Sequence, residues 1–438
     1  MIFAPKLSRR WSVCSANENL RAIKKIILLD FTATISIIIS NRMKMFFRTI
    51  SKERMNIMDF SLTKEQEMLK KLAAQFAEEE LEPVAAEIDA EHRFPVENFA
   101  KMAATGFTGI GVPEVYGGSG GGMLEKVIAV SEFARKCMSS AATLSIHLIA
   151  PHAILDFGTE EQKQKYLPRL TKGGELGAFA LTEPNAGSDA AGVKTVAVYD
   201  EKTDEYILNG TKCFITGGAR AGVLVIFAMT EPKMGTRGMS AFIVEKGMPG
   251  FSSGKIEDKM GLAGSETAEL VFEDCRVPAA NMLGKKNKGF KIAMKALDAA
   301  RIGVGAQAMG VAEEAIDMSV KYMHERVQFG KPIATLQGLQ WYIADMATKT
   351  EAAKALVYIA SYLADAGKPF TKEAAMCKYN AAENARFVTN LALQIHGGYG
   401  YMKDYPLERM YRDAKLTEIY EGTSEIHKVV ISRAVLNK

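Results

Sequence analysis

The spacing of apolar residues along the chain changes twice. From Met58 to about residue 178 they recur at three- and four-residue intervals, as in Leu124–Cys137 and Ala150–Leu167, with Lys, Glu and Gln between them. That spacing predicts amphipathic helices, and Ser61 and Thr63 are candidate N-caps for the first of them. Between about 179 and 285 the pattern shortens to β-branched or aromatic runs bounded by Gly, Asp or Asn: Thr195–Tyr199, Glu205–Leu208, Gly222–Met229, Met239–Val244 and Ala268–Phe272. After Gly289 long helical stretches return over Phe290–Glu325, Leu336–Ala366 and Lys372–Leu393. The expectation is an α+β multidomain chain, with an N-terminal helical domain at 58–178, a middle β domain at 179–289 and a C-terminal helical domain at 290–438. A length of 438 residues suits two or three packed domains.

Residues 1–57 differ from the rest. They hold 11 Lys/Arg and 3 Asp/Glu; subtracted from totals of 55 and 51, this leaves a body with 44 and 48, a net of −4. Such a body lacks the concentrated basic face that phosphate binding needs, so no nucleic-acid partner is expected. The leader's apolar run Ile26–Ile39 is broken by Asp30 and falls short of the roughly 20 residues that span a bilayer, so no membrane insertion is expected either. We read the leader as a non-native or disordered extension ahead of a native start at Met58, in a bacterial cytoplasm. Its basic, acid-poor composition leaves a mitochondrial transit peptide as the alternative.

The five cysteines form no CxxC pair and the six histidines no HExxH, which argues against a disulfide framework or a metal site. Gly117-Gly118-Ser119-Gly120-Gly121 fits a hydrolase G-x-S-x-G elbow in letters alone. Pro113 interrupts the strand that an elbow requires before it, so a flexible loop is expected. No G-x-G-x-x-G follows a strand.

Four segments concentrate polar and glycine residues between apolar elements. Phe179–Asp189 (FALTEPNAGSD) is a turn whose amides and hydroxyls suit a polar ring edge or phosphate, and suit a purely structural turn equally well. Cys213–Gly218 (CFITGG) puts an aromatic and a hydroxyl at a strand end. Glu325–Lys331 (ERVQFGK) closes a helix with Arg326, a bidentate phosphate ligand by chemistry; alone it reads more readily as a solvated helix end. The fourth runs from Gln394–Tyr401 (QIHGGYGY) to Ile419–Ile426 (IYEGTSEI), where Glu421 stands beside Gly422. A lone Glu is usually exposed.

Taken together, TEPNAGSD, FITGG, ERVQFGK, QIHGGYGY and IYEGTSEI resemble the acyl-CoA dehydrogenase family, from Met58 to the C-terminus and nearest the short-chain, butyryl-CoA type. The resemblance implies that family's fold, with a four-helix-bundle-like C-terminal domain, and non-covalent FAD. It implies that Phe179, Leu181, Thr182, Gly187 and Ser188 line the flavin, with Ser188 reaching the CoA side, and that Phe214, Ile215 and Thr216 flank the ring. Arg326, Phe329 and Gln337, with Gln394, Ile395, Gly397 and Gly398, would hold the pyrophosphate and adenosine, partly across a subunit boundary. That implies a homo-oligomer, expected as a tetramer. Asp298, Arg301 and Gly422 match substrate positions, and Thr423 and Glu425 further flavin positions.

Glu421 matches the family's catalytic base. Some members carry that carboxylate immediately before the arginine matching Arg301, and here that position is Ala300. The implied reaction removes the α-proton of an acyl-CoA and passes the β-hydride to flavin N5, or runs in reverse, with electrons exchanged through electron-transferring flavoprotein. An α-proton is a weak acid, so donors at the thioester carbonyl are required, and the resemblance puts the Glu421 amide there. Burial should raise the pKa of Glu421. The same scaffold accommodates branched-chain, glutaryl or aryl-propenoyl esters; no cation for a second carboxylate is evident in Met138–Ala150. A non-catalytic flavin or acyl-CoA binding protein is the reading from another class, and retention of Glu421 speaks against it.

Overall fold

The computed structural model describes residues 61–437 apart from residue 173; the leader and the expected start at Met58 lie outside the described residues. Helix α1 (Lys64–Phe76) opens on a capping box, in which the Thr63 hydroxyl accepts from the Gln66 N–H at 3.2 Å and the Gln66 side chain accepts from the Thr63 N–H at 2.9 Å. Helices α2 (Glu82–Glu91), α3 (Val96–Ala104), α4 (Met123–Lys136), α5 (Met138–His147), α6 (Ile149–Phe157) and α7 (Glu160–Thr171) follow.

The stretch Ala150–Leu167, expected as one helical run, is two helices. The chain is extended at Gly158 and Thr159, and Thr159 starts a second capping box with Gln162. The Gln162 Nε2 also donates to the carbonyls of Ala280 and Met282, at 2.8 and 2.9 Å, tying α7 to the sheet. Thr159→Ala therefore costs about 1 kcal/mol, read as a lower denaturation midpoint at unchanged denaturant slope.

Eight strands form one mixed sheet: β1 (Gly177–Ala180), β2 (Val196–Asp200), β3 (Glu205–Thr216), β4 (Val223–Met229), β5 (Met239–Glu245), β6 (Phe251–Ile256), β7 (Thr267–Pro278) and β8 (Met282–Leu283). Their order is β6-β7-β3-β2-β4-β5-β8, with β1 parallel to β4 from Gly177↔Val223 to Ala180↔Ile226. Every residue of β4 is buried: Val225 and Phe227 face the core shared with α6 and α7, while Leu224 and Ile226 face a second core. Burial on both faces is why this strand reads as an unbroken apolar run.

Helix α8 (Gly289–Glu325) is followed by the short hairpin β9–β10 (Val327–Gln328, Lys331–Pro332), then α9 (Gln337–Asp365) and α10 (Thr371–His396). These helices and α4 share one core with α1, in which Phe133 meets Phe76 at 5.2 Å and Phe107 at 4.8 Å between ring centroids. Helices α11 (Leu407–Leu416) and α12 (Ser424–Leu436) complete the chain. Helices, a β layer and a second helical layer thus occur in the expected order.

Candidate active site

The site is built around the turn between α11 and α12. Glu421 and Gly422 both have positive φ, 55° and 102°, and Thr423 then caps α12, its hydroxyl accepting from the Ile426 N–H at 3.4 Å. A left-handed glutamate costs of order 1–2 kcal/mol, so surrounding bonds must hold it. Two cations do so: Lys378 Nζ donates to the Gly422 carbonyl at 2.6 Å, and Arg301 Nε to the Glu421 carbonyl at 3.4 Å. Arg301 also donates to Asp298 at 2.7 Å, and the Thr371 hydroxyl donates to the other Asp298 oxygen at 2.5 Å. The turn is therefore pinned to both α8 and α10.

The Glu421 side chain is left free by this arrangement. Its Oε2 is buried without a hydrogen-bond partner among the described residues, and its backbone N–H likewise meets no acceptor there. Burial pushes the carboxyl pKa up, while Arg301, Lys378 and Lys126 pull against the rise. Burial also drags the Lys378 amine down to about 7. Tyr420 packs, with Phe179 and Ala296, against a cluster of Ile146, Ile149 and Ala300, and its hydroxyl donates to Gln307.

Ile149 and Ala300 also line a cavity of about 240 Å³ between α4, α6 and α8, together with Lys126, His152, Ala296 and Ala299. His152 is hydrogen-bonded to the Ile110 carbonyl at 2.9 Å and pushed down by burial to about 4, so it is neutral at pH 7.

The remaining sequence-selected residues fall into two groups. Phe179, Leu181 and Thr182 lie at and just beyond the end of β1; the Cys213 N–H donates to the Thr182 carbonyl at 3.0 Å, which brings Phe214, Ile215 and Thr216 alongside. A register shift between Lys212 and Ile215 turns Phe214 outward, with φ 57° and 65% of its surface exposed, while Ile215 stays buried. Gly187 and Ser188 are exposed on the following turn. That turn is held by Glu183, which is buried and accepts from Lys212 Nζ at 2.7 Å and the Thr195 hydroxyl at 2.5 Å.

Arg326, Phe329, Gln337, Gln394, Ile395, Gly397 and Gly398 gather at the far end of α8. Arg326 lies 5.5 Å from the centre of the Tyr399 ring, Phe329 is 90% exposed with φ 53°, and a Cβ on Gly397 or Gly398 would meet nothing within 4 Å. At 1.5 Å per residue, Arg326 stands roughly 37 Å along the helix from Arg301. Within one chain the two groups do not meet. Thr423 and Glu425 are beside Glu421 and line a polar groove of about 390 Å³ with Arg386, Lys415 and Glu418.

Sequence reasoning missed Lys126, Gln307 and Lys378. The signal for Lys126 and Lys378 was present: each interrupts a buried apolar stripe of its helix, Val127–Val130–Phe133 in α4 and Ala374–Ala381–Ala382 in α10. Ser119, singled out by the G-x-S-x-G letters, spends its hydroxyl on the Gly106 carbonyl at 2.6 Å and serves a loop.

The sequence profiles of the N-terminal, middle and C-terminal domains of acyl-CoA dehydrogenase match residues 63–174, 178–275 and 287–436. The chain belongs to the acyl-CoA dehydrogenase family. It is 79% identical over 394 residues, 90% of this chain and 100% of the other, to an acryloyl-CoA reductase (NADH) of Anaerotignum propionicum. The butyryl-CoA dehydrogenase of Megasphaera elsdenii has a similar structure, with TM-score 0.85 and 48% identity over 86% of this chain and 100% of that one. A chain solved in work on the electron-transferring flavoprotein of Acidaminococcus fermentans gives TM-score 0.86 and 52% identity, covering 87% and 100%.

This family member is an FAD-dependent oxidoreductase of acyl-CoA thioesters. Its own residues fit that cofactor. The outward Phe214 beside Thr216 offers a face and a hydroxyl to a planar ring, and Arg326, over the Tyr399 ring, offers a fork to a pyrophosphate, with open space at Gly397 and Gly398.

Proposed function

We propose that the chain interconverts short saturated acyl-CoA thioesters of three or four carbons with their α,β-unsaturated counterparts, using Glu421 as the α-carbon base. The observation that carries the reading is the buried, unpartnered Glu421 carboxyl oxygen beside the cavity that Ile149 and Ala300 line. In oxidation the carboxylate takes the α-proton; in reduction the carboxylic acid returns it. Negative charge developing on the thioester oxygen needs fixed donors, and the free Glu421 N–H is one of them. FAD, when bound, accepts or supplies the β-hydride.

Ser188, Asp298, Arg301 and Gly422 are read as the substrate side of the site. Arg301 acts by position, since its guanidinium is engaged by Asp298 and the Glu421 carbonyl. Phe179, Leu181, Thr182, Gly187, Phe214, Ile215, Thr216, Thr423 and Glu425 are read as the flavin side. Because Arg326, Phe329 and Gln337 lie at and beyond the far end of α8, each FAD is read as completed by a second copy of the chain, within a tetramer. The exposed apolar surface of Phe329 (90%) and Trp341 (62%) supports that reading. Electron-transferring flavoprotein as redox partner is supported by the A. fermentans relative, and a cytoplasmic location by the bacterial origin of all three relatives.

Anaerobic titration of the purified holoenzyme tests the reading. Propionyl- or butyryl-CoA should bleach the flavin absorbance, and crotonyl-CoA should restore the colour of dithionite-reduced protein. A bound flavin that no short acyl-CoA bleaches overturns it.

A further inference from the structure

Lys126 is a charged group at the site to which the reaction gives no role. It is 1% exposed on α4, and Met123, Val127, Val130 and Phe133 around it are all buried. Its side chain reaches α8 at Gly303, where a Cβ would stand 3.3 Å from Lys126 Cε, 3.6 Å from its Nζ and 2.4 Å from the Ser145 hydroxyl. A side chain at this point would collide with the Ser145 hydroxyl and crowd the lysine stem, so glycine leaves room for both against the helix. No acceptor or carboxylate lies within hydrogen-bond or ion-pair distance of Nζ among the described residues; Glu421 acts on it only at longer range. Burial lowers the amine to about 8, which leaves it mostly protonated at neutral pH. The space open to this cation is the cavity it lines, whose walls include the small apolar Ile149, Ala296, Ala299 and Ala300; the other charged groups in the lining are already engaged, Lys295 with Asp156 and Asp365 with the Met123 and Leu124 N–H groups.

We propose that Lys126 sets the length of acyl group the enzyme accepts, its ammonium closing the inner end of the acyl cavity. The inference rests on the acyl-CoA reading of the Glu421 site. A three- or four-carbon acyl group ends short of the amine and leaves it hydrated. A longer apolar chain must displace that water and press methylenes against an unpaired cation, which is strongly unfavourable. Against an apolar wall, each added methylene would instead favour binding about fourfold.

Lys126→Met keeps the side-chain length and removes the charge. We expect the wild-type holoenzyme to lose at least tenfold in kcat/KM from butyryl- to octanoyl-CoA, and the variant to narrow that ratio by at least tenfold. Dissociation constants of the four- and eight-carbon 2-enoyl-CoA products, measured by calorimetry on the oxidised proteins, should change the same way. If the Met variant does not fold, Lys126→Gln, which stays polar but uncharged, should narrow both ratios by a smaller factor. Unchanged ratios in a folded, flavin-loaded variant overturn the inference. So does a wild-type preference for esters that end in a carboxylate, because the amine would then be an anchor. Failure of every ester to reduce wild-type flavin overturns the acyl-CoA reading itself, and this inference with it.

Discussion

Replacing Glu421 with Gln lowers turnover of a short acyl-CoA by on the order of 10³-fold, the middle of the range for a positioned acid–base group. The substitution keeps size and removes the titrating proton, so the flavin spectrum and the binding of enoyl-CoA should persist. The pH dependence gives a sharper test. Burial raises the Glu421 pKa, and each direction of the reaction needs one protonation state. Dehydrogenation needs the carboxylate and fades as pH falls through the raised pKa; reduction needs the acid and fades as pH rises through it. Both limbs should vanish in Glu421→Gln, and a residual rate that kept either would refute the base assignment. Stability should move the other way. A carboxyl whose folded pKa is raised favours the fold below its unfolded pKa and loses that contribution as pH climbs through the folded value. Near pH 8 the Gln variant should therefore melt no lower than the parent.

The order helices, β layer, helices was legible because each layer presents its own apolar period, three to four residues in α4 and α8 and a continuous run in β4, which is buried on both faces. Strands that lack such a signal were missed. The segment GAFA of β1 has no β-branched residue, β6 (FSSGKI) is mostly exposed, and β8 has only two residues. Gly158–Thr159 splits a helical pattern through a capping box, a local competition that periodicity alone does not register.

At the site, Glu421 and its glycine stood out through the motifs that surround them. The bonds that hold them did not, because Arg301 reaches the Glu421 carbonyl across 120 residues of sequence and Lys378 reaches Gly422 across 44. Lys126 was the least legible. A lysine within an amphipathic helix normally belongs to the solvated face, and although Lys126 falls on the stripe of Val127, Val130 and Phe133, its spacing does not say that it lies against Gly303 of α8. Reading Met138–Ala150 alone for a cation thus overlooked the neighbouring helix.

Arg301→Met should destabilise the protein by about 3–5 kcal/mol near neutral pH, the usual cost of stripping one partner from a buried ion pair. Asp298 would keep only the Thr371 hydroxyl, and burial already raises its pKa. The missing stabilisation should therefore shrink as pH is lowered and Asp298 becomes neutral, and grow as pH rises. Arg301 also leads the cations that restrain the Glu421 pKa, so its loss should move the acid limb of the dehydrogenation profile to higher pH. The double variant Asp298→Asn/Arg301→Met separates the two roles. With no stranded carboxylate the melting temperature should recover most of the loss, while the displaced pH limb and the weakened hold on the left-handed Glu421 remain. If activity and pH profile recovered together with stability, Arg301 would be only a folding residue, and the position of Glu421 would rest on Lys378 and the α12 cap alone.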